Sequence, residues 1–126
     1  MDNINSVMIL DDEPIVCERL RSTLEKVKLD IETFTNPNEA VKRFGEKKFQ
    51  VLITDLKMKE MDGIEVLKLV QKVSPETRVI IITGFATVEK AREALKIGAY
   101  DFIAKPFKLS QLRDLVIKAL GLAEQD

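Results

Sequence analysis

Five side chains in this 126-residue chain could do chemistry together: Asp11, Asp12, Asp55, Thr83 and Lys105. Each closes or follows a short apolar run: Val7 to Leu10 before the acidic pair, Val51 to Ile53 and Thr54 before Asp55, Val79 to Ile82 before Thr83, and Phe102 to Ala104 before Lys105. Three carboxylates packed together repel, so one of them keeps its proton unless a cation lies among them. Mg2+ suits such a set, because it takes oxygen ligands in octahedral geometry and is typically held by a few carboxylates plus phosphate oxygens. Calcium is less apt, since no EF-hand spacing is present. With the metal bound, Asp55 stays ionised and can attack phosphorus as a nucleophile. Lys105 and Thr83 then face the oxygens of the transferred group and stabilise charge as it spreads. Taken singly, each motif has a plainer reading. An Asp-Asp-Glu run before a helix is a dipole-favoured cap, a strand-terminal Thr is a turn hydroxyl, and a Lys-Pro pair is surface. Their joint occurrence after four strands is what points to a site.

The elements that must position these groups are legible in order. Met1 to Asn5 is polar and expected to fray, as are residues 122–126. A strand over Val7 to Leu10 leads through Asp11-Asp12-Glu13 into a helix from Pro14 to about Val27, with Pro14 in the first turn. Leu29 to Phe34 alternates apolar and polar residues like an edge strand wet on one side. Asn36-Pro37-Asn38-Glu39 resembles a capping box opening a helix that ends at Gly45. The strand ending at Asp55 is followed by Met61-Asp62-Gly63, read as a turn in which Gly63 can take a positive φ, and then by a helix from Ile64 to Val73. Val79 to Ile82 is β-branched and apolar on both faces, as the middle of a covered parallel sheet requires. Thr87 is placed to cap the next helix, which runs through Ile97 to Gly98. Asp101 to Ala104 is the fifth strand, and Leu109 to Leu120 is a clear amphipathic helix.

Five strand patterns alternating with five helix patterns mean βα units, a parallel sheet and right-handed crossovers. All strands of such a sheet end on one side, and ligands bind at that edge. The length fits one domain over residues 1–126, with hydrophobic residues at 45% and charged residues at 33%, and no apolar run nears the ~20 residues of a membrane span. No leader pattern precedes the first strand and the single cysteine has no internal disulfide partner, so the cytosol is the expected compartment. The net charge of -1, with Lys and Arg scattered, lacks the footprint of a direct nucleic-acid binder. Histidine is absent, which removes imidazole acid/base catalysis, the Ser-His-Asp triad and imidazole metal sites. Cys17 lies at the border of the first helix's buried face and reads as packing rather than as a reactive thiol.

Asp11-Asp12, the run from Asp55 to Gly63, Thr83-Gly84 and Lys105-Pro106-Phe107 together resemble the receiver domain of bacterial two-component response regulators. The segment Gly98 to Phe107 is most similar to receivers fused to enhancer-binding transcription activators. The resemblance implies a flavodoxin-like, three-layer doubly wound sheet of five strands in the order 2-1-3-4-5. It implies a phosphorylation-activated switch rather than a turnover enzyme, one that catalyses only its own phosphorylation and dephosphorylation. Asp55 accepts the phosphoryl group from a sensor histidine kinase or histidine phosphotransfer protein. Mg2+ is held by Asp12, Asp55 and the main-chain carbonyl of Lys57, with Asp11 acting mostly through water. Thr83 and Phe102 form the switch pair, and the Lys105-Pro106 bond is cis. The implied output is a downstream domain or partner protein, with a phosphorylation-dependent homodimer through the face of the fourth helix, fifth strand and fifth helix as a further option. One departure is visible: Lys59 stands where the family usually has proline, which loosens the loop and removes no chemical group.

The main rival is a Mg2+-dependent aspartyl-phosphate phosphatase of haloacid dehalogenase type, in which the nucleophile follows the first strand and a cap covers the substrate. Here the acids after the first strand are adjacent and leave no room for a cap. A nucleotide binder is a weaker rival, since no Gly-rich loop follows any strand. Lys57 and Phe85, two places past Asp55 and Thr83, are positioned to admit or exclude the water that hydrolyses an acyl phosphate. Phe85 either shields the phosphorus, giving slow self-dephosphorylation, or is an exposed partner contact.

Overall fold

The computed structural model describes residues 5–122, and for Phe85 the backbone alone. The elements are β1 (Asn5–Leu10), α1 (Pro14–Leu24), β2 (Leu29–Phe34), α2 (Pro37–Phe44), β3 (Val51–Asp55), α3 (Gly63–Val73), β4 (Arg78–Thr83), a 3-10 turn (Phe85–Thr87), α4 (Val88–Ile97), β5 (Asp101–Ala104) and α5 (Leu109–Ala119). The strands form one parallel sheet in the order β2-β1-β3-β4-β5.

Period-two alternation divides the apolar residues of the inner strands between two faces. Met8, Leu10, Leu52, Val79 and Ile81 pack on one side against Ala40 and Phe44 of α2, Val66, Leu67 and Val70 of α3, and Ala91 and Ala94 of α4. Val7, Ile9, Val51, Ile53, Ile80 and Ile82 pack on the other against Cys17, Leu20 and Leu24 of α1 and Leu112, Val116 and Ala119 of α5. Burying each large side chain stabilises the fold by about 1.5–3 kcal/mol, which is why the three central strands are apolar on both faces. Edge strand β2 is guarded by charge: Arg43 donates to both carboxylate oxygens of Glu32 at 2.9 and 3.0 Å, and Lys47 binds Asp30 and Glu32. Among the described residues no helix is long and apolar enough to cross a membrane.

Several boundaries differ from the expectations. Asn5 is not frayed, because it pairs with Leu29 at the start of β1. α1 stops at Leu24, where the Val27 N–H bonds the Leu24 carbonyl and tightens the chain toward β2. At α2 the cap is a single bond from the Glu39 N–H to Asn36 Oδ1 at 3.1 Å. The reciprocal box forms instead at α3, between Asp62 and Glu65. Gly63 has no positive φ, and the reason for glycine there is close approach. A Cβ would sit 2.8 Å from the Asp55 carbonyl oxygen and 2.9 Å from Leu56 Cα. Gly98 does end α4 in the left-handed region, at φ 129°. Residues 1–4 and 123–126, expected to fray, lie outside the described residues.

Candidate functional site

Strand register decides which residues meet. Leu10 pairs with Thr54, Asp55 with Ile82, and Thr83 with Ala104. Asp11 and Asp55 therefore leave the sheet side by side, with Thr83 and Lys105 one and two residues further along the same edge. One carboxylate oxygen each from Asp11, Asp12 and Asp55 lies within 4.8 Å of the others. Lys105 Nζ stands 3.9 Å from Asp55 Oδ2. The Lys105-Pro106 peptide bond is cis.

The local electrostatics suit a cation. Asp11 is buried, its Oδ1 accepts from the Glu13 N–H at 2.9 Å, and its buried Oδ2 has no hydrogen-bond partner. Burial first, and then the charge of Asp55, push the Asp11 carboxyl up to about 6, against the pull of the Glu13 amide. Burial likewise raises Asp55, opposed chiefly by Lys105 and then by the backbone N–H groups of Leu56 and Lys57. An orphaned, desolvated carboxylate oxygen beside two more carboxylates is the donor set that a hard divalent cation satisfies, so the residues present fit Mg2+. Cys17 is buried, with Sγ 3.4 Å from the Asp11 carbonyl oxygen, and burial pushes its thiol up to about 11. That is a packing thiol, inert as a nucleophile at neutral pH.

The switch candidates are close in space. Thr83 is fully buried, and Phe102, paired with Ile81, is partly buried against the core that includes Ala91 and Ala94. The Lys57 side chain is exposed. The Phe85 side chain, expected to shield the phosphorus or meet a partner, lies outside the described residues. Sequence reasoning missed two contacts. The Lys59 N–H donates to Asp12 Oδ2 at 3.3 Å, which a proline at that position could not do. Thr87 carries no side-chain cap bond to α4: its ψ of 18° lies outside the extended region of a capping residue, and its hydroxyl meets that of Thr83 at 2.6 Å. The first depends on how two separate loops close at one edge, and the second is set by the 3-10 turn that brings Thr87 back over Thr83 within the β4–α4 connection.

The sequence and the fold have known relatives. Residues 7–117 match the family model described as the response regulator receiver domain. The chain is 37% identical over 115 residues to the response regulator protein PilR of Pseudomonas aeruginosa, and 37% identical over 122 residues to the regulatory protein AtoC of Escherichia coli. These alignments cover 91% and 97% of the chain, and in both cases 26% of the relative, so the chain spans about a quarter of their length. A response regulator receiver domain protein from Clostridium thermocellum superposes with a TM-score of 0.88 at 28% identity, covering 94% of this chain and 95% of that one. The receiver domain of NtrX from Brucella abortus superposes with a TM-score of 0.85 at 27% identity, covering 93% and 99%. With a family match over residues 7–117, these relatives and these superpositions, this chain belongs to the response regulator receiver domains.

Proposed function

We propose that the chain is a Mg2+-dependent phosphorylation switch whose acceptor is Asp55 and whose donor is a phosphohistidine on a sensor kinase or phosphotransfer protein. The observation that carries the proposal is the placement of Lys105 Nζ 3.9 Å from Asp55 Oδ2, beside carboxylates of Asp11 and Asp12 gathered within 4.8 Å. This chain contains no histidine, so a phosphohistidine donor lies outside it.

When bound, Mg2+ supplies positive charge that keeps Asp55 ionised and offsets the charge of the incoming phosphoryl oxygens. Asp12, Asp55 and the Lys57 carbonyl would hold it, with Asp11 beside them. An Asp55 carboxylate oxygen forms the new bond to phosphorus as the bond from phosphorus to the donor nitrogen breaks, and the imidazole keeps that electron pair. Lys105 orients Asp55 beforehand and then pairs with a phosphoryl oxygen. The Thr83 hydroxyl donates to another, and Phe102 turns inward into the space this vacates. The face of α4, β5 and α5 changes in consequence, and there the chain meets its output domain, a partner protein or a second copy of itself. Exposed Leu95 and Ile97 on α4 offer apolar surface for that contact.

The test is intact-mass measurement after treatment with a small acyl phosphate. Wild type should gain a single phosphate in Mg2+ and none in EDTA, and Asp55→Asn should gain none. A full-sized adduct on the variant would sink the assignment. Free, unlimited turnover of the acyl phosphate would favour the phosphatase reading instead.

A further inference from the structure

The hydroxyl assigned to the phosphoryl group is already engaged elsewhere. Thr83 Oγ1 lies 2.6 Å from Thr87 Oγ1, and each hydroxyl lies 3.2 Å from the Gly84 carbonyl oxygen. Each hydroxyl has one proton, so two protons serve three contacts: one hydroxyl gives to the other, and the second gives to Gly84. The ring closes across the 3-10 turn between β4 and α4. Thr87 stands at the N-cap of α4, where a threonine hydroxyl ordinarily accepts from an amide two or three residues on. Asn36 and Asp62 do this at α2 and α3, but α4 has no side-chain cap bond. Asn36 and Asp62 are extended, at ψ 120° and 170°, whereas Thr87 has ψ 18° and turns its hydroxyl to Thr83 instead.

We propose that Thr87 is a positioning residue for the switch. It holds the Thr83 hydroxyl in the unphosphorylated chain, and on release the Thr87 backbone opens from ψ 18° to the extended region, where its own hydroxyl caps α4. This rests on the reading of Thr83 as a phosphoryl contact. The two arrangements exchange one neutral hydrogen bond for another and differ by the turn of the Thr87 backbone into the extended region, and the contact of Thr83 with the phosphoryl group tips the balance. Movement has room, because a cleft of about 440 Å3 lies between Leu56 and Lys57 on one side and Ala86, Thr87 and Lys90 on the other. The event at Asp55 thereby reaches the first turn of α4 through two side chains.

Amide hydrogen exchange at Glu89 and Lys90, the second and third residues of α4, tests this in the full chain with and without beryllofluoride plus Mg2+ as phosphoryl mimic. Protection at Lys90 should rise about tenfold in wild type and in Thr87→Ser, and stay unchanged in Thr87→Val. Thr87→Val should also be phosphorylated by acetyl phosphate about five times faster than Thr87→Ser, because its Thr83 hydroxyl is then held only by the Gly84 carbonyl oxygen at 3.2 Å. A fold defect in Thr87→Val would not rescue the proposal, since wild type alone must show the change. An Asp55 adduct with no change at Glu89 or Lys90 overturns the Thr87 role and leaves the acceptor assignment standing. Equal rates in the Val and Ser variants overturn it as well. Absence of any adduct on Asp55 overturns both readings.

Discussion

At the scale of single residues, the site gathers three carboxylates whose charges conflict. Asp11 titrates at about 6 in the folded chain and at 3.8 when unfolded. Between those values the folded state binds the extra proton, so the metal-free protein loses stability as pH rises from about 4 to about 6 and stays at the lower level above. The loss is on the order of 3 kcal/mol. Asp55, raised in the same direction, adds to it. Glu32 and Glu76 are lowered by their basic partners, so their contributions fade only as pH falls below the ordinary carboxylate range. Urea unfolding in EDTA should show higher stability at pH 5 than at pH 7, and saturating Mg2+ at pH 7 should remove the difference. Lys105→Met should slow phosphorylation by about 100-fold, while Mg2+ affinity rises because a competing cation beside Asp55 is gone. The reactive residue types and their strand-end positions were legible in the sequence. The partners of Asp12 and Thr83 were not, because a backbone N–H from Lys59 and a hydroxyl from Thr87 carry no pattern of their own.

At the scale of elements, the loop from β3 to α3 sets the position of Asp55, the proposed acceptor. Asp62 and Glu65 cap α3 reciprocally, and the Gly63 N–H bonds the Leu56 carbonyl at 2.7 Å, pressing the helix start against the end of β3. Gly63→Ala would place a Cβ against two backbone atoms that cannot yield like a side-chain tip. The substitution should destabilise the chain by about 1–3 kcal/mol and weaken Mg2+ binding, measured by chemical denaturation and by metal titration. Unchanged stability would show that the helix can slide. The strand and helix patterns were legible because burial imposes period two or 3.6 on the residues that meet the core. The role of Gly63 was misread as a turn conformation, since glycine serves close approach and positive φ alike and only the fold tells which. The end of α1 at Leu24 was likewise set by the path into β2, which Val27's apolar side chain does not reveal.

At the scale of the whole molecule, a parallel sheet brings residues from positions 11, 55, 83 and 105 to one edge and leaves α4 and β5 beside Thr83 and Phe102, with α5 on the opposite face of the sheet. Because the chain holds no histidine, incubation with Mg2+ and ATP alone should leave its mass unchanged. Phosphorylation should alter amide exchange across α4 and β5 as well as in the loop after Asp55, and changes confined to that loop would count against coupling to Phe102. The alternation of elements was readable from the residues, and the strand order followed from the family resemblance. Register, which aligns Asp11 with Asp55, becomes visible only once the strands are paired. The most direct measurement is reduction of the phosphorylated chain with borohydride, which converts an aspartyl phosphate to homoserine, followed by peptide mass mapping. The account predicts homoserine at position 55 and nowhere else. Homoserine at position 11 or 12, or a stable phosphate on a hydroxyl with position 55 intact, would contradict it.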